Sequence, residues 1–343
     1  MKGFLFIGDP HVTSVRPGRR KDDYVASVLG KLSVAAEIAR GEELLPVILG
    51  DLFHRAKENH LPTLTRLIKV LQSFHVTPLC LGGNHDKAET LLTETDALQL
   101  LAQAGVLKVI DGECQEVLTL DTPAGRIALW AAPYGAKLPE RINSDANQVV
   151  LITHHDLAFE GAYPGSTELY EIVGCDLVVN GHMHKTAPSV RKGQTHWHCP
   201  GNIEPLSIDC RDHIPAVWAW RGGDTAQPLE RIVLPHDRDC FDLTGLNVAP
   251  SASDAALEAL DDVVAAVQIK PAPSHFAELL SAQTTLEAAR TEDDVTFLED
   301  LTQAFDELGV KPAVRQILMA LATKTAPPAL EIVESTESAA EPT

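Results

Sequence analysis

Leu44-Leu45-Pro46-Val47-Ile48-Leu49-Gly50-Asp51-Leu52-Phe53-His54-Arg55 sets an apolar run directly against a glycine, an aspartate and a histidine. The run, residues 44–50, is too short for a buried helix, is bounded by a glycine, and reads as a buried strand. Outward from it the same punctuation recurs. Residues 3–8 run into Asp9-Pro10-His11, and residues 77–81 run into Gly83-Asn84-His85-Asp86. Residues 149–153 run into His154-His155-Asp156, residues 176–180 into Gly181-His182-Met183-His184, and residues 127–131 form a sixth apolar run. Between the first strands, residues 22–40 and 61–74 carry apolar side chains at helical spacing. Tyr24, Val28, Leu32 and Ala35 share one face, as do Leu64, Leu67, Ile68 and Leu71. Strands alternating with helices predict an α/β domain whose first sheet is largely parallel. Polar motifs at strand ends sit where open α/β sheets gather their ligand sites.

The chain has 343 residues, 45% hydrophobic and 22% charged, which suits one large domain with a smaller appendage. No uncharged apolar run approaches the roughly 20 residues of a spanning helix. Lys2 and the apolar residues after it are interrupted by Asp9, so the pattern is not that of a secretion signal. The expected location is the cytoplasm, with no membrane partner. The six cysteines, Cys80, Cys114, Cys175, Cys199, Cys210 and Cys240, form no C-x-x-C pair and are expected to be reduced and mostly buried.

The formal charge of -20 argues against a broad basic face for nucleic acid. The acidity is uneven, however. Between Asp254 and Glu307 there are 13 acidic residues against only Lys270 and Arg290, whereas acids and bases nearly balance over the first sixty residues. Residues 215–220 and 228–234, flanking Arg221-Gly222-Gly223-Asp224, read as a β-hairpin. The expected organisation is a catalytic domain over 1–208, a cap-like hairpin segment over 209–245, an acidic helical region over 246–324 and a disordered Pro/Ser/Thr/Glu-rich tail over 325–343.

The five polar motifs carry chemistry only in combination. A lone D-x-H is commoner on a surface than in a site, G-N-H-D alone could be an Asx turn, and H-x-H alone could be a half-buried strand. All five in order, each at a strand end, point to a metal site. Hydrolysing a phosphoester at neutral pH needs a hydroxide near phosphorus and neutralisation of the phosphoryl oxygens. Two metal ions about 3.5–4 Å apart supply both. Such a pair needs a shared ligand, and Asp51 at the tip of a buried strand is the natural bridge. A mixed set of imidazole, carboxylate and amide donors favours Mn, Fe, Zn or Co over Ca or Mg. The glycines Gly8, Gly50, Gly83 and Gly181 keep Cβ atoms out of the site. His196-Trp197-His198 reads as a strand with both histidines on one face rather than as a metal site.

Over about residues 1–205 this series resembles the signature of the calcineurin-like metallophosphoesterase superfamily: D-x-H, G-D, G-N-H-D/E, H and G-H-x-H. The resemblance implies a four-layer αββα sandwich, here with a small β-hairpin/helical C-terminal extension. It implies one metal held by Asp9, His11, Asp51 and His184, and a second by Asp51, Asn84, His154 and His182. It makes His85 the group that protonates the leaving oxygen or stabilises charge in the transition state, with Asp86 orienting it. Between His154 and His155, the first residue beyond the strand is preferred as ligand.

The G-D-L-F-H fragment and Cys199-Pro200-Gly201-Asn202-Ile203-Glu204-Pro205-Leu206-Ser207 are similar to the SbcD-type repair exonucleases. Asn202 departs from the Ser of that branch. This resemblance implies a DNA exo- or endonuclease, most naturally Mn-dependent, with His54 as an active-site residue and DNA ends or single strands as substrate. It also implies an SbcC-type ATPase partner for the C-terminal helices, whose charge and amphipathicity suit homodimerisation too. Arg16, Arg19 and Arg20 are candidate phosphate contacts. The competing expectation is a small-molecule or cyclic-nucleotide phosphodiesterase or phosphatase, which the net charge favours. A third is a metallophosphoesterase core kept as a non-enzymatic scaffold, which the complete ligand set and His85 oppose.

Overall fold

The computed structural model describes residues 1–162, 164–223 and 229–244. The acidic helical region and the tail expected beyond residue 245 lie outside the described residues. Five apolar runs become the central strands that the sequence predicts: β1 (Gly3–Ile7), β2 (Leu44–Ile48), β3 (Leu79–Leu81), and, later in the chain, β7 (Gln148–Thr153) and β8 (Leu177–Asn180). Every residue of β1, β3 and β8 is buried, as parallel strands covered on both faces require. The remaining strands are β4 (Lys108–Ile110), β5 (Gln115–Thr122), β6 (Gly125–Ala132), β9 (Ala187–Lys192), β10 (Thr195–Cys199), β11 (Ala216–Trp220) and β12 (Glu230–Val233).

Two six-stranded sheets result. The first runs β12-β11-β1-β2-β3-β4, the second β5-β6-β7-β8-β10-β9. In the first, β1 to β4 are mutually parallel, while β11 joins β1 antiparallel with Phe6 opposite Trp218. The hairpin expected as a cap-like segment therefore extends the first sheet from its β1 side. In the second sheet β6, β7, β8 and β10 are parallel, and β5 and β9 close the edges antiparallel.

The sheets pack face to face over Phe4, Phe6, Val47, Leu49, Leu81, Leu129, Val150, Ile152, Val179 and Trp220. Helices α1 (Tyr24–Gly41), α2 (Leu61–Ser73) and α3 (Ala97–Gln103) cover the outer face of the first sheet. Helix α1 starts where the Asp23 side chain accepts the Ala26 N–H, and it buries Tyr24, Val28, Leu32 and Ala35, the face its spacing predicts. Helix α2 begins with Pro62 in its first turn and buries Leu64, Leu67 and Leu71. The outer face of the second sheet is covered by irregular chain carrying Leu138, Ile142, Leu157, Phe159, Leu169 and Ile172. The two-sheet α/β sandwich is the expected one, with loops rather than a helix over the second sheet among the described residues.

His196 and His198 stand in register with Leu177 and Val179 of β8, so both face the interior between the sheets. All six cysteines are unpaired, and all but Cys114 are buried. No helix among the described residues is long and apolar enough to cross a membrane.

Candidate metal centre

Strands β1, β2, β3, β7 and β8 deliver Asp9, Asp51, Asn84, His154 and the His182/His184 pair to one rim of the sandwich. The chain turns sharply to do so. Among the described residues only five that are not glycine have a positive φ, and four of them are Asp9, His11, Asp51 and His182. Left-handed backbone at side chains of this kind is strained and persists where surrounding structure imposes it.

Two clusters form. In the first, Asp9, His11 and His184 bring their donor atoms together; in the second, Asp51, His154 and His182 do. His11 Nε2 lies 3.0 Å from His184 Nε2. Asn84 Oδ1 lies 3.2 Å from His154 Nε2 and 3.0 Å from His182 Nδ1, which places it in the second cluster. Asp51 connects them: its Oδ2 is 3.2 Å from His154 Nε2 and 3.7 Å from His11 Nε2. One carboxylate oxygen therefore faces both clusters, while Oδ1 accepts the His85 backbone N–H at 2.9 Å.

The donor set fits divalent cations. Both Asp9 oxygens are buried without a hydrogen bond, a costly state for a carboxylate that a cation would relieve. Burial pushes the Asp9 carboxyl upward; the His154 charge opposes this and Asp51 adds to it. Burial would also raise Asp51, but the charge and hydrogen bond of His154, with His11 and His85, hold it well below the usual carboxylate range. Burial holds His11 well below its ordinary value and lowers His184. Burial, with the His154 charge, lowers His182 to about 4. Neutral imidazoles with free lone pairs are the metal-binding form. Burial would lower His154, but Asp51 and Asp9 raise it to about 9; its Nδ1 donates to the Leu49 carbonyl at 2.8 Å, so Nε2 is the nitrogen turned toward Asp51 and Asn84, where a cation would take the place of a proton.

The glycines matter through close approach. A Cβ on Gly83 would stand 2.1 Å from Asp51 Oδ1, and one on Gly181 would stand 2.7 Å from Asp9 Oδ1 and 2.8 Å from His154 Nδ1. His155 turns away from the clusters, its Nε2 donating to the Ala136 carbonyl at 2.7 Å.

His85 lies beside the first cluster, its ring 5.0 Å from that of His11 and stacked on that of His54 at 5.4 Å and 15°. His11, His54 and His85 form a third convergent group. Asp86 differs from the expectation that it orients His85. It is fully buried, and its carboxylate accepts the N–H groups of Leu52, Phe53 and Gly83. Three backbone donors converge on it, so it pins the loop after β2 to the loop after β3.

Arg20 also departs from its expected role. Its guanidinium is buried and spent on Asp22, Glu204 and the Pro205 carbonyl. Glu204 binds Lys31 and Ser27 of α1 as well, so this network ties the loop after β10 to the helix. Arg19 donates to the Thr244 carbonyl. Arg16 is exposed.

Two further residues lie outside the five polar motifs. Asn202 is fully buried with its side-chain amide unpartnered, while its backbone N–H donates to the His184 carbonyl. Tyr134 stacks on His182, ring centroids 6.1 Å apart at 29°. The signal for Tyr134 is positional: it follows the predicted strand over residues 127–131 and precedes Gly135, at a strand end without a polar motif.

A family model described as calcineurin-like phosphoesterase matches residues 3–186. Among curated proteins none matches the chain. Solved structures similar to it include a hypothetical protein from Thermus thermophilus at 11% identity and TM-score 0.38, aligned over 68% of this chain and 99% of that one. The 5'-nucleotidase precursor of the same organism aligns at 13% identity over 84% of this chain and 59% of its own, with TM-score 0.38. Haemophilus influenzae NAD nucleotidase aligns at 10% over 84% and 60%, also at 0.38. Likenesses at this level bear on neither substrate nor activity.

Proposed function

The chain belongs to the calcineurin-like phosphoesterase family, and from that premise we propose that it is a two-metal phosphodiesterase whose substrate is DNA, as ends or single strands. The coarser activity, metal-dependent phosphoester hydrolysis, follows from the family. The observation that carries the two-metal reading is Asp51, whose single Oδ2 faces both His11 and His154. Asp9, His11, Asp51 and His184 would hold one ion; Asp51, Asn84, His154 and His182 would hold the other. The mixed nitrogen and oxygen donors suit Mn first, with Fe, Zn and Co also compatible. When bound, such a pair supplies hydroxide at neutral pH and neutralises phosphoryl charge.

The protein's own residues do the remaining work. His85 Nδ1 lies 3.0 Å from the His54 carbonyl, which only accepts. Nδ1 therefore carries the proton, and Nε2 is the atom left to hand a proton to the leaving oxygen when the imidazole is charged. The His54 ring limits how far His85 can turn by stacking on it. Asp86 fixes the loops that bear Asp51 and Asn84, and so the spacing of the two clusters.

The nuclease assignment is supported by the G-D-L-F-H and C-P-G-N-I-E-P-L-S segments, and by the near balance of charge over the first sixty residues. An SbcC-type ATPase, or a second copy of the chain, is the proposed partner for residues 246–324, and the cytoplasm the proposed location. The test is turnover with Mn on labelled single- and double-stranded DNA beside bis-p-nitrophenyl phosphate. Cleavage of all three classes, or of DNA in one form, is the expected result. Cleavage of the small diester with DNA untouched overturns the nuclease reading and favours a small-molecule or cyclic-nucleotide phosphodiesterase.

A further inference from the structure

Among the described residues Tyr134 is the one aromatic side chain in the set of large hydrophobic groups left exposed, at 42%. It stands at the mouth of the candidate metal centre. Its ring stacks on that of His182 and meets the ring of His154 edge-on, centroids 6.4 Å apart at 78°. One flank is therefore set by two candidate ligands of the second cluster, Lys87 Nζ stands over the ring 5.9 Å from its centroid, and the rest of the exposed 42% is open to solvent.

The position is held firmly. Tyr134 lies in a tight turn after β6, closed by the Ala136 N–H donating to the Pro133 carbonyl at 3.0 Å. Gly135 takes φ 88° there, a left-handed value that L side chains rarely adopt. The Tyr134 N–H donates to the Gly82 carbonyl at 3.0 Å, in the loop that carries Asn84 and His85. Lys87 Nζ donates to the Tyr134 carbonyl at 2.9 Å and to Asp111 Oδ1 at 2.8 Å. His155 fastens the far side of the turn through the Ala136 carbonyl. A backbone anchored on three sides holds out a planar ring that keeps a large part of its surface in solvent. Packing alone does not account for that, because a tyrosine gains most by burial. Lys87 is thus the positive charge beside the ring, and Lys137, which is exposed, follows on the same turn.

We propose that Tyr134 is a stacking platform for a nucleobase adjoining the scissile phosphate, on the Asn84–His154–His182 side of the site. This rests on the reading of the protein as a nuclease. A ring face beside a basic side chain is the combination that binds single-stranded nucleic acid without base preference. The interaction is with the π-face, so it holds any of the four bases and positions the backbone rather than reading sequence.

The test compares kcat/KM of the Mn-loaded full chain on matched short single-stranded oligonucleotides, with either a normal or an abasic residue beside the cleaved bond. Wild type, Tyr134→Leu and Tyr134→Phe are measured, with metal content determined for each. Wild type is expected to favour the base-bearing substrate by about tenfold, mainly through KM, the effect of one stacked base. Tyr134→Leu abolishes this preference and Tyr134→Phe retains it. If Tyr134→Leu keeps the preference, loses rate equally on both substrates, or loses metal, the platform is refuted and Tyr134 is structural. If wild type cleaves bis-p-nitrophenyl phosphate but neither oligonucleotide, the nuclease reading fails and the platform fails with it. That outcome appears in wild type alone, so the two failures are distinguishable.

Discussion

His85 donates its Nδ1 proton toward the carbonyl oxygen of His54, 3.0 Å away, while the two imidazole rings stack at 5.4 Å. The main chain of one histidine thus sets the tautomer of the other, and its side chain sets the ring plane. His85→Ala should lower kcat by about 10²–10⁴, the usual worth of a general acid, with both metals retained. His54→Ala keeps the carbonyl and should cost less, about tenfold. Loss of metal in His85→Ala, measured by elemental analysis after desalting, contradicts this division of roles.

Gly83 has no room for a side chain, because a Cβ would stand 2.1 Å from Asp51 Oδ1 and 2.4 Å from Asp51 N. Gly83→Ala is expected to displace Asp51 and reduce metal binding and turnover together. Gly30 has open space around its Cβ. Gly30→Ala, in α1, should be neutral or slightly stabilising, by up to about 1 kcal/mol. Titration calorimetry with Mn and thermal melts of both variants separate the two outcomes.

The candidate ligands are legible because metal chemistry restricts both residue type and position. Asp9, His11, Asp51, Asn84, His154, His182 and His184 each follow a buried strand, and two-residue spacing is visible in one dimension. The partners of Asp86 and Arg20 are not legible, because charge in a motif does not reveal direction. Asp86 is met by three backbone N–H groups, and Arg20 by Asp22, Glu204 and Pro205, the latter two about 185 residues away. Strands β4, β5 and β9 were missed, since half-exposed edge strands such as Gln115–Thr122 lack a continuous apolar run. The loops over the second sheet carry its core residues without any period for a pattern to follow.

Arg20 and Arg16 should separate stability from substrate binding. Arg20→Ala leaves Glu204 buried with one fewer partner, and breaking a buried pair costs about 3–5 kcal/mol. Arg16 is exposed, so Arg16→Ala should leave the melting temperature within about 1 °C, a surface change worth under 0.5 kcal/mol. If it touches a phosphate, its loss raises KM for DNA and flattens the salt dependence. A fall in melting temperature for Arg16→Ala, or none for Arg20→Ala, reverses this reading.

His198 lies between the sheets with Nδ1 at 2.9 Å from Ser189 Oγ, and burial lowers it to about 4. The folded protein therefore binds this proton less readily than the unfolded chain, whose histidine titrates near 6.5. Its contribution to stability is complete above about pH 6.5 and falls as pH drops toward 4, by about 3 kcal/mol in all. His198→Gln should reduce the loss of melting temperature between pH 7 and 4.5. An unchanged pH profile contradicts the assignment.

Asp51 is proposed to join two metal sites, its Oδ2 facing both His11 and His154. Mn titration of the metal-free full chain, wild type against Asp51→Asn, tests it most directly. Two ions per chain are expected in wild type, and weakened binding of both ions in the variant. One ion in wild type, or a variant that loses one ion while holding the other with unchanged affinity, would contradict it.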